Sequence, residues 1–411
     1  MPVEEVNDQF FSKDSKTFTE NSVPQSIDDV EKAKGLVNVV STSGTVTHDD
    51  EALIRDKAYA LLKGHIDEEL SETENRRVLR KLDWRFLPML TLVYGMNYVD
   101  KASLSWAVMM NLKKDTHLVG NEYSWVSAIF YFGYLGAEYP ANWLVHRYDV
   151  SKIIAFVCIS WGILMLGHLG LKSYAGLCVV RFLLGISEAP VSAACITYIG
   201  NWYTKDEQPF RFLCFASGQG GLYILFSLVA YGVAHAGGSL LHWKYIYLIL
   251  AFVSLILGTL FYFMMPALPQ NAKFLTPEER VIAAKRVAGN MTGIKTIQWQ
   301  NYQVWHAIKD PKTYLLCLYM LFSMIPNGGL TNFNTLVLKS FDFDSYTTLL
   351  VNIPWSVFSA GQMWVWAATG LYFKNQRVAG LIIPMVIAII GMAIVYGTEN
   401  SEGVNKWELL F

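Results

Sequence analysis

Charged residues are scarce in this sequence. Asp, Glu, Lys and Arg make up 16% of its 411 residues, where soluble domains carry about a quarter. With 53% of residues hydrophobic, that shortage excludes an ordinary soluble enzyme and points to a polytopic membrane protein. An excess of basic charge is also missing: 33 Lys and Arg face 34 Asp and Glu, so a nucleic-acid partner has no electrostatic support. Cysteine is sparse, and Cys158, Cys178, Cys195, Cys214 and Cys317 lack metal-ligand spacing. They read as small core or lipid-facing residues, not as ligands or disulfides. Residues 1–50 contain no apolar run of signal-peptide type, so cleavage and secretion are not expected. That Ser-, Thr-, Asp- and Glu-rich stretch buries too little apolar surface to offset the cost of ordering and is read as a disordered tail.

What is present in quantity is the long apolar run. Nine segments approach the roughly 20 residues that a membrane helix needs: Phe86–Met109, Tyr123–Val145, Ile153–Leu171, Tyr174–Trp202, Phe212–His235, Tyr245–Met265, Tyr314–Leu338, Tyr346–Tyr372 and Val378–Tyr396. Lys and Arg concentrate in alternate loops and in the interval after the sixth span, which sets the N-terminus on the cytoplasmic side. In that interval Thr276-Pro277-Glu278-Glu279 is a capping box with Pro at the first helical position, and it predicts a cytoplasmic helix over Pro277–Ala288. Asn290-Met291-Thr292 fits a glycosylation pattern but falls on the wrong side of the membrane. The predicted organisation is a cytoplasmic tail over 1–80, a six-helix half over 81–266, a linker with an amphipathic helix over 267–313, and three spans over 314–411. Six spans, a basic linker and further spans is the layout of a two-halved transporter.

Several charges lie inside the spans. The apolar run from Phe86 stops at Val99, so the first span must include Asp100 and Lys101. Each costs about 2.5–3.5 kcal/mol at mid-depth and needs a partner from another helix or a water-filled cavity. The alternative is a shorter span with both residues at the interface. Arg181 and Glu188 share one face of the fourth span, with Glu188 near the midplane. The planar fork of Arg suits a carboxylate ligand. A carboxylate in a low-dielectric cavity can exchange a proton near neutral pH. The competing reading is an ion pair locking the first span to the fourth. Glu138 and Arg147, nearer the cytoplasm, read as gating or structural groups, Glu138 satisfying backbone or Arg groups. His168 reads as an interface residue at the outer end of the third span. Ser217-Gly218-Gln219-Gly220-Gly221 should let helices approach closely. Pro326-Asn327-Gly328-Gly329 should break or kink the seventh span, leaving Asn327 as a substrate contact or a mere packing kink. Trp355, Trp364 and Trp366 read as packing rather than cavity wall.

These residues resemble a known family. Met96-Asn97-Tyr98-Val99-Asp100-Lys101, Glu138-x-Pro140-x-Asn142, and Arg181-Phe182-Leu183-Leu184-Gly185-Ile186-Ser187-Glu188 are similar to the anion:cation symporter family of the major facilitator superfamily. So are Trp202-Tyr203, Glu207 and Arg211. Within that family the nearest likeness is to fungal allantoate permease-like transporters, carried by the run from Tyr123 to Leu135, by Ile325–Gly329 and by Lys273-Phe274-Leu275-Thr276-Pro277-Glu278. The resemblance implies an all-α major facilitator fold and proton-driven uptake of a small organic anion by alternating access at the plasma membrane. It implies no cofactor beyond the proton gradient. It assigns the coupling proton to Asp100 and Glu188, and the substrate carboxylate to Lys101 and Arg181. His146 and Asp149 depart from the superfamily's loop motif, where Asp and Gly are usual. The superfamily fold has twelve spans, so the second half is expected to be incomplete, with Asn327, Asn332 and Asn334 short of neighbours. The alternative function is a truncated membrane protein that does not transport. Oligomeric state is not legible, and no enzyme-like constellation of nucleophile, base or metal ligands is visible.

Overall fold

The computed structural model describes residues 71–236, 240–288, 301–340, 347–372 and 377–399, all within one compact unit, Arg55–Phe411. Expectations for the tail over 1–50, for Asn290-Met291-Thr292, and for the side chains of Asn332 and Asn334 lie outside the described residues.

The architecture is all-α. The first helix, α1 (Glu72–Met109), joins the basic segment ahead of Phe86 to the first span in one element, with Pro88 inside it. A short helical turn, α2 (Leu112–Asp115), precedes α3 (Glu122–Arg147) and α4 (Val150–Gly167). The fourth span forms two helices, α5 (Tyr174–Glu188) and α6 (Pro190–Trp202), and the fifth forms α7 (Gln208–Ala216) and α8 (Gly218–His235). Then come α9 (His242–Met264), the linker helices α10 (Pro277–Ala288) and α11 (Asn301–Lys309), α12 (Pro311–Ser340), α13 (Thr347–Val351), α14 (Ile353–Tyr372) and α15 (Arg377–Glu399). Among the described residues, each of the nine expected spans lies largely on helix.

Among the described residues four segments are long and apolar enough to cross a membrane outright: Val150–Gly170, Tyr174–Trp202, Gln208–His235 and His242–Met264. Their outward faces are apolar too, with Phe156, Ile163, Phe252, Ile256 and Phe263 all exposed. A surface of that kind is stable against hydrocarbon, not water. Trp355 and Trp364, expected to pack, are likewise exposed.

The helices pack in pairs, α4 with α9, α3 with α5 and α1 with α8. Small residues permit the approach. A Cβ on Gly185 would sit 2.1 Å from the Phe130 carbonyl oxygen, and one on Gly218 would sit 2.7 Å from that of Thr91. Neither backbone can yield without parting the pair. Gly185→Val is therefore expected to cost about 3 kcal/mol or more and to remove the monodisperse peak in detergent chromatography. Gly136→Ala, where nothing lies within 4 Å, should leave that peak intact.

Two prolines bear on helix continuity. The fourth span is present with its expected bounds, Tyr174–Trp202, and at Pro190, which has no N–H to give the Ile186 carbonyl, the regular hydrogen-bond pattern is interrupted between α5 and α6 while Ala189 keeps helical backbone angles. Pro326, conversely, does not break α12, which runs through it to Ser340.

The capping box forms as expected. The Thr276 N–H donates to Glu279 Oε2 at 3.2 Å, and the Glu279 N–H to Thr276 Oγ1 at 3.3 Å. Glu279 also accepts from Lys81 Nζ at 2.6 Å, and Arg286 Nη2 reaches both oxygens of Glu207 at 2.7 Å. Burial raises the Glu279 carboxyl, but the Lys81 and Thr276 hydrogen bonds with the Lys81 and Arg77 charges outweigh it and hold it below its usual value. Beneath this clasp Arg211 grips Asp83 with two bonds, at 2.8 and 2.9 Å, fastening α7 to α1.

Candidate functional site

Asp100 and Lys101 belong to the buried upper half of α1, and Arg181 and Glu188 to α5. The N-terminus of α5 is capped by Ser173, whose hydroxyl accepts from the Gly176 N–H, and its C-terminus is set by the interruption at Pro190. Glu188 stands on the last turn of α5, where its carboxylate faces α1.

The bond network there centres on Asn97. Its Nδ2 donates to Glu188 Oε2 at 2.8 Å, and its Oδ1 accepts from Lys101 Nζ at 3.0 Å. Lys101 Nζ lies 3.7 Å from Glu188 Oε2, and 5.8 and 5.4 Å from the ring centres of Phe130 and Tyr134. One carboxylate, one amide and one ammonium thus form a bridge between α1 and α5, with an aromatic wall from α3 beside the cation. The other Glu188 oxygen is buried without a hydrogen bond among the described residues.

Asp100 is fully buried, and neither carboxylate oxygen has a hydrogen-bond partner among the described residues. The charges acting on it are those of Glu188, Arg181 and Lys101. A buried carboxylate with no donor is costly, which marks this position as one kept for something other than stability.

Arg181 is also buried, at 2% exposure, and it does not pair with Glu188. Its Nη2 donates to Tyr247 Oη at 2.8 Å, while its Nε has no partner among the described residues. A small cleft lies between the two cations, lined by Lys101, Leu104, Val126, Ser127, Phe130, Tyr131 and Arg181, with about 10 Å³ of free space. That is room for roughly one water, so a larger occupant requires the surrounding helices to part.

The remaining expected residues stand elsewhere. Among the described residues Glu138 engages no arginine. It accepts from Asn142 on its own helix, the amide reaching its carbonyl at 3.0 Å and its carboxylate at 3.3 Å. Arg147 lies over the Trp143 ring at 5.3 Å, again within α3. Asp149 pairs with Lys152 at 2.8 Å. Asn327 is exposed on α12 and does not line the cleft. His168 is not an interface residue: it is fully buried and stacks on Tyr247 at 4.3 Å between ring centres. Among the described residues no group of His, Cys, Asp or Glu has the arrangement of a metal site.

Residues 90–405 match the sequence profile of the Major Facilitator Superfamily. Among curated proteins, an uncharacterized transporter of Schizosaccharomyces pombe is 31% identical over 86% of this chain, and the chain spans 65% of that protein's length. The allantoate permease of Saccharomyces cerevisiae is 29% identical over 91% of this chain and 71% of its own. Among solved structures, the xylose transporter of E. coli in a partially occluded inward-open conformation superposes with a TM-score of 0.54 at 16% identity, covering 80% of this chain and 82% of that one. At that identity the likeness concerns the fold.

Proposed function

The chain belongs to the Major Facilitator Superfamily, and from that membership we propose that it is a proton-coupled secondary transporter of a small organic anion. In this reading its N-terminal segment is cytoplasmic, the membrane is the plasma membrane, and the proton gradient is the driving force, with no cofactor.

The observation that carries the proposal is the charge balance of one buried cluster. Asp100 and Glu188 are fully buried, Arg181 nearly so, and Lys101 has a side chain 23% exposed. With both acids ionised the cluster is neutral. A monoanion arriving between Lys101 and Arg181 would leave one negative charge uncompensated in low dielectric, which costs several kcal/mol. Protonation of one acid restores neutrality. Glu188 is suited to that step because its cation is shared: when a substrate carboxylate draws Lys101 away, Glu188 keeps only the Asn97 amide. Asp100, with no donor of its own, is the second acceptor. Likeness to an allantoate permease supports a carboxylate or ureide as cargo. A purely structural lock would account for the Lys101–Glu188 contact but not for the unpaired Asp100.

The test is uptake of labelled allantoate by the reconstituted protein in liposomes under an imposed proton gradient. Accumulation that a protonophore collapses, with one proton moved per monoanion, is expected. Accumulation indifferent to the protonophore overturns proton coupling, and transport of neutral solutes in preference to carboxylates overturns the assignment of cargo.

A further inference from the structure

Arg181 is the one cation of the cluster whose bond partner comes from outside α1, α3 and α5. That partner, Tyr247, projects from α9, and its hydroxyl accepts the Nη2 hydrogen at 2.8 Å. Tyr247 is fully buried and has two aromatic neighbours. The His168 imidazole lies parallel to its ring, 4.3 Å between centres with 8° between planes. Trp243 meets it edge-on at 5.9 Å. Each of these two is anchored in turn. His168 Nδ1 is 3.1 Å from the Leu164 carbonyl oxygen, which can only accept, so that nitrogen carries the hydrogen. Trp243 Nε1 donates to Asp115 Oδ2 at 2.9 Å. Four elements, α2, α4, α5 and α9, therefore converge on the orientation of one guanidinium.

A guanidinium left unrestrained in a narrow cleft would rotate among several poses, and binding a carboxylate would have to stop that motion. Anchoring one nitrogen removes that cost in advance. It also leaves Nε, buried and without a partner among the described residues, as a donor still to be satisfied. We propose that Tyr247, braced by the His168 ring, is a positioning residue that presents Arg181 to the carboxylate of the transported anion. This rests on the reading of Arg181 as the anion receptor.

Kinetics of allantoate uptake by the reconstituted protein test it. Tyr247→Phe keeps the ring stack and removes the hydroxyl, and it is expected to raise KM at least about fivefold with the maximal rate within about twofold. His168→Ala should act in the same direction, and His168→Phe, which restores a stacking ring, should recover most of the loss. A merely structural role predicts the reverse split, with less active protein and unchanged KM, and that result overturns the proposal. A second readout does not depend on transport: the rate at which phenylglyoxal modifies Arg181, followed by mass spectrometry. Tyr247→Phe should raise that rate at least about threefold by freeing the guanidinium. If the native protein shows no saturable uptake, the transport reading fails, and the Arg181 rate alone decides the positioning role. An equal rate in the two proteins then overturns it.

Discussion

Replacing Glu188 by Gln is expected to abolish proton-driven accumulation, by about tenfold or more, while counterflow exchange stays largely intact. The amide is nearly isosteric and can still accept from the Asn97 Nδ2 that now lies 2.8 Å from Glu188, so the fold should hold. What changes is charge. With Glu188 permanently neutral, Asp100, Lys101 and Arg181 leave the cluster with one net positive charge. A monoanion neutralises that charge without any proton. Binding and reorientation of the loaded carrier then go on, but the gradient no longer biases them. Measured in liposomes, exchange of labelled for unlabelled anion should persist where accumulation has vanished. Native proton dependence in this variant would remove Glu188 from the coupling step.

Arg181→Lys is the second large effect. Lysine keeps the charge but has no planar fork, and it loses the Nη2 bond to Tyr247 and the unsatisfied Nε together. Affinity for the anion should fall at least tenfold, about 1.4 kcal/mol. The protein should remain monodisperse, because no ion pair is broken: Arg181 makes none among the described residues. Affinity equal to the native value would return Arg181 to a structural role.

Much of the scaffold was legible because lipid-spanning helices advertise themselves by length and apolarity, and because a capping box is a local signal. Pro277–Ala288 begins and ends where Thr276 and the following residues predict. The interruption of the hydrogen-bond pattern at Pro190 is equally local, a proline's missing N–H within a span whose bounds the apolar run predicts. The polar contacts were a different matter. Asn97, Tyr247 and His168 are joined to Glu188 and Arg181 across helices far apart in the chain. Periodicity says which face of a helix a residue occupies, not which of 22 tyrosines the neighbouring helix will set opposite an arginine. Asp100 illustrates the same limit from the other side. The sequence showed that it needed a partner, and only the packed structure shows that it has no hydrogen-bond donor among the described residues.

The clasp on the linker has a mechanical consequence. Lys81–Glu279 and Glu207–Arg286 tie α10 to α1 and to the turn before α7, and Arg85 adds bonds to the Met264 carbonyl at 3.1 and 3.3 Å. All of these anchors sit on α1, on the turn before α7 or at the end of α9, so α10 is carried as ballast on the same helices that hold the buried charges.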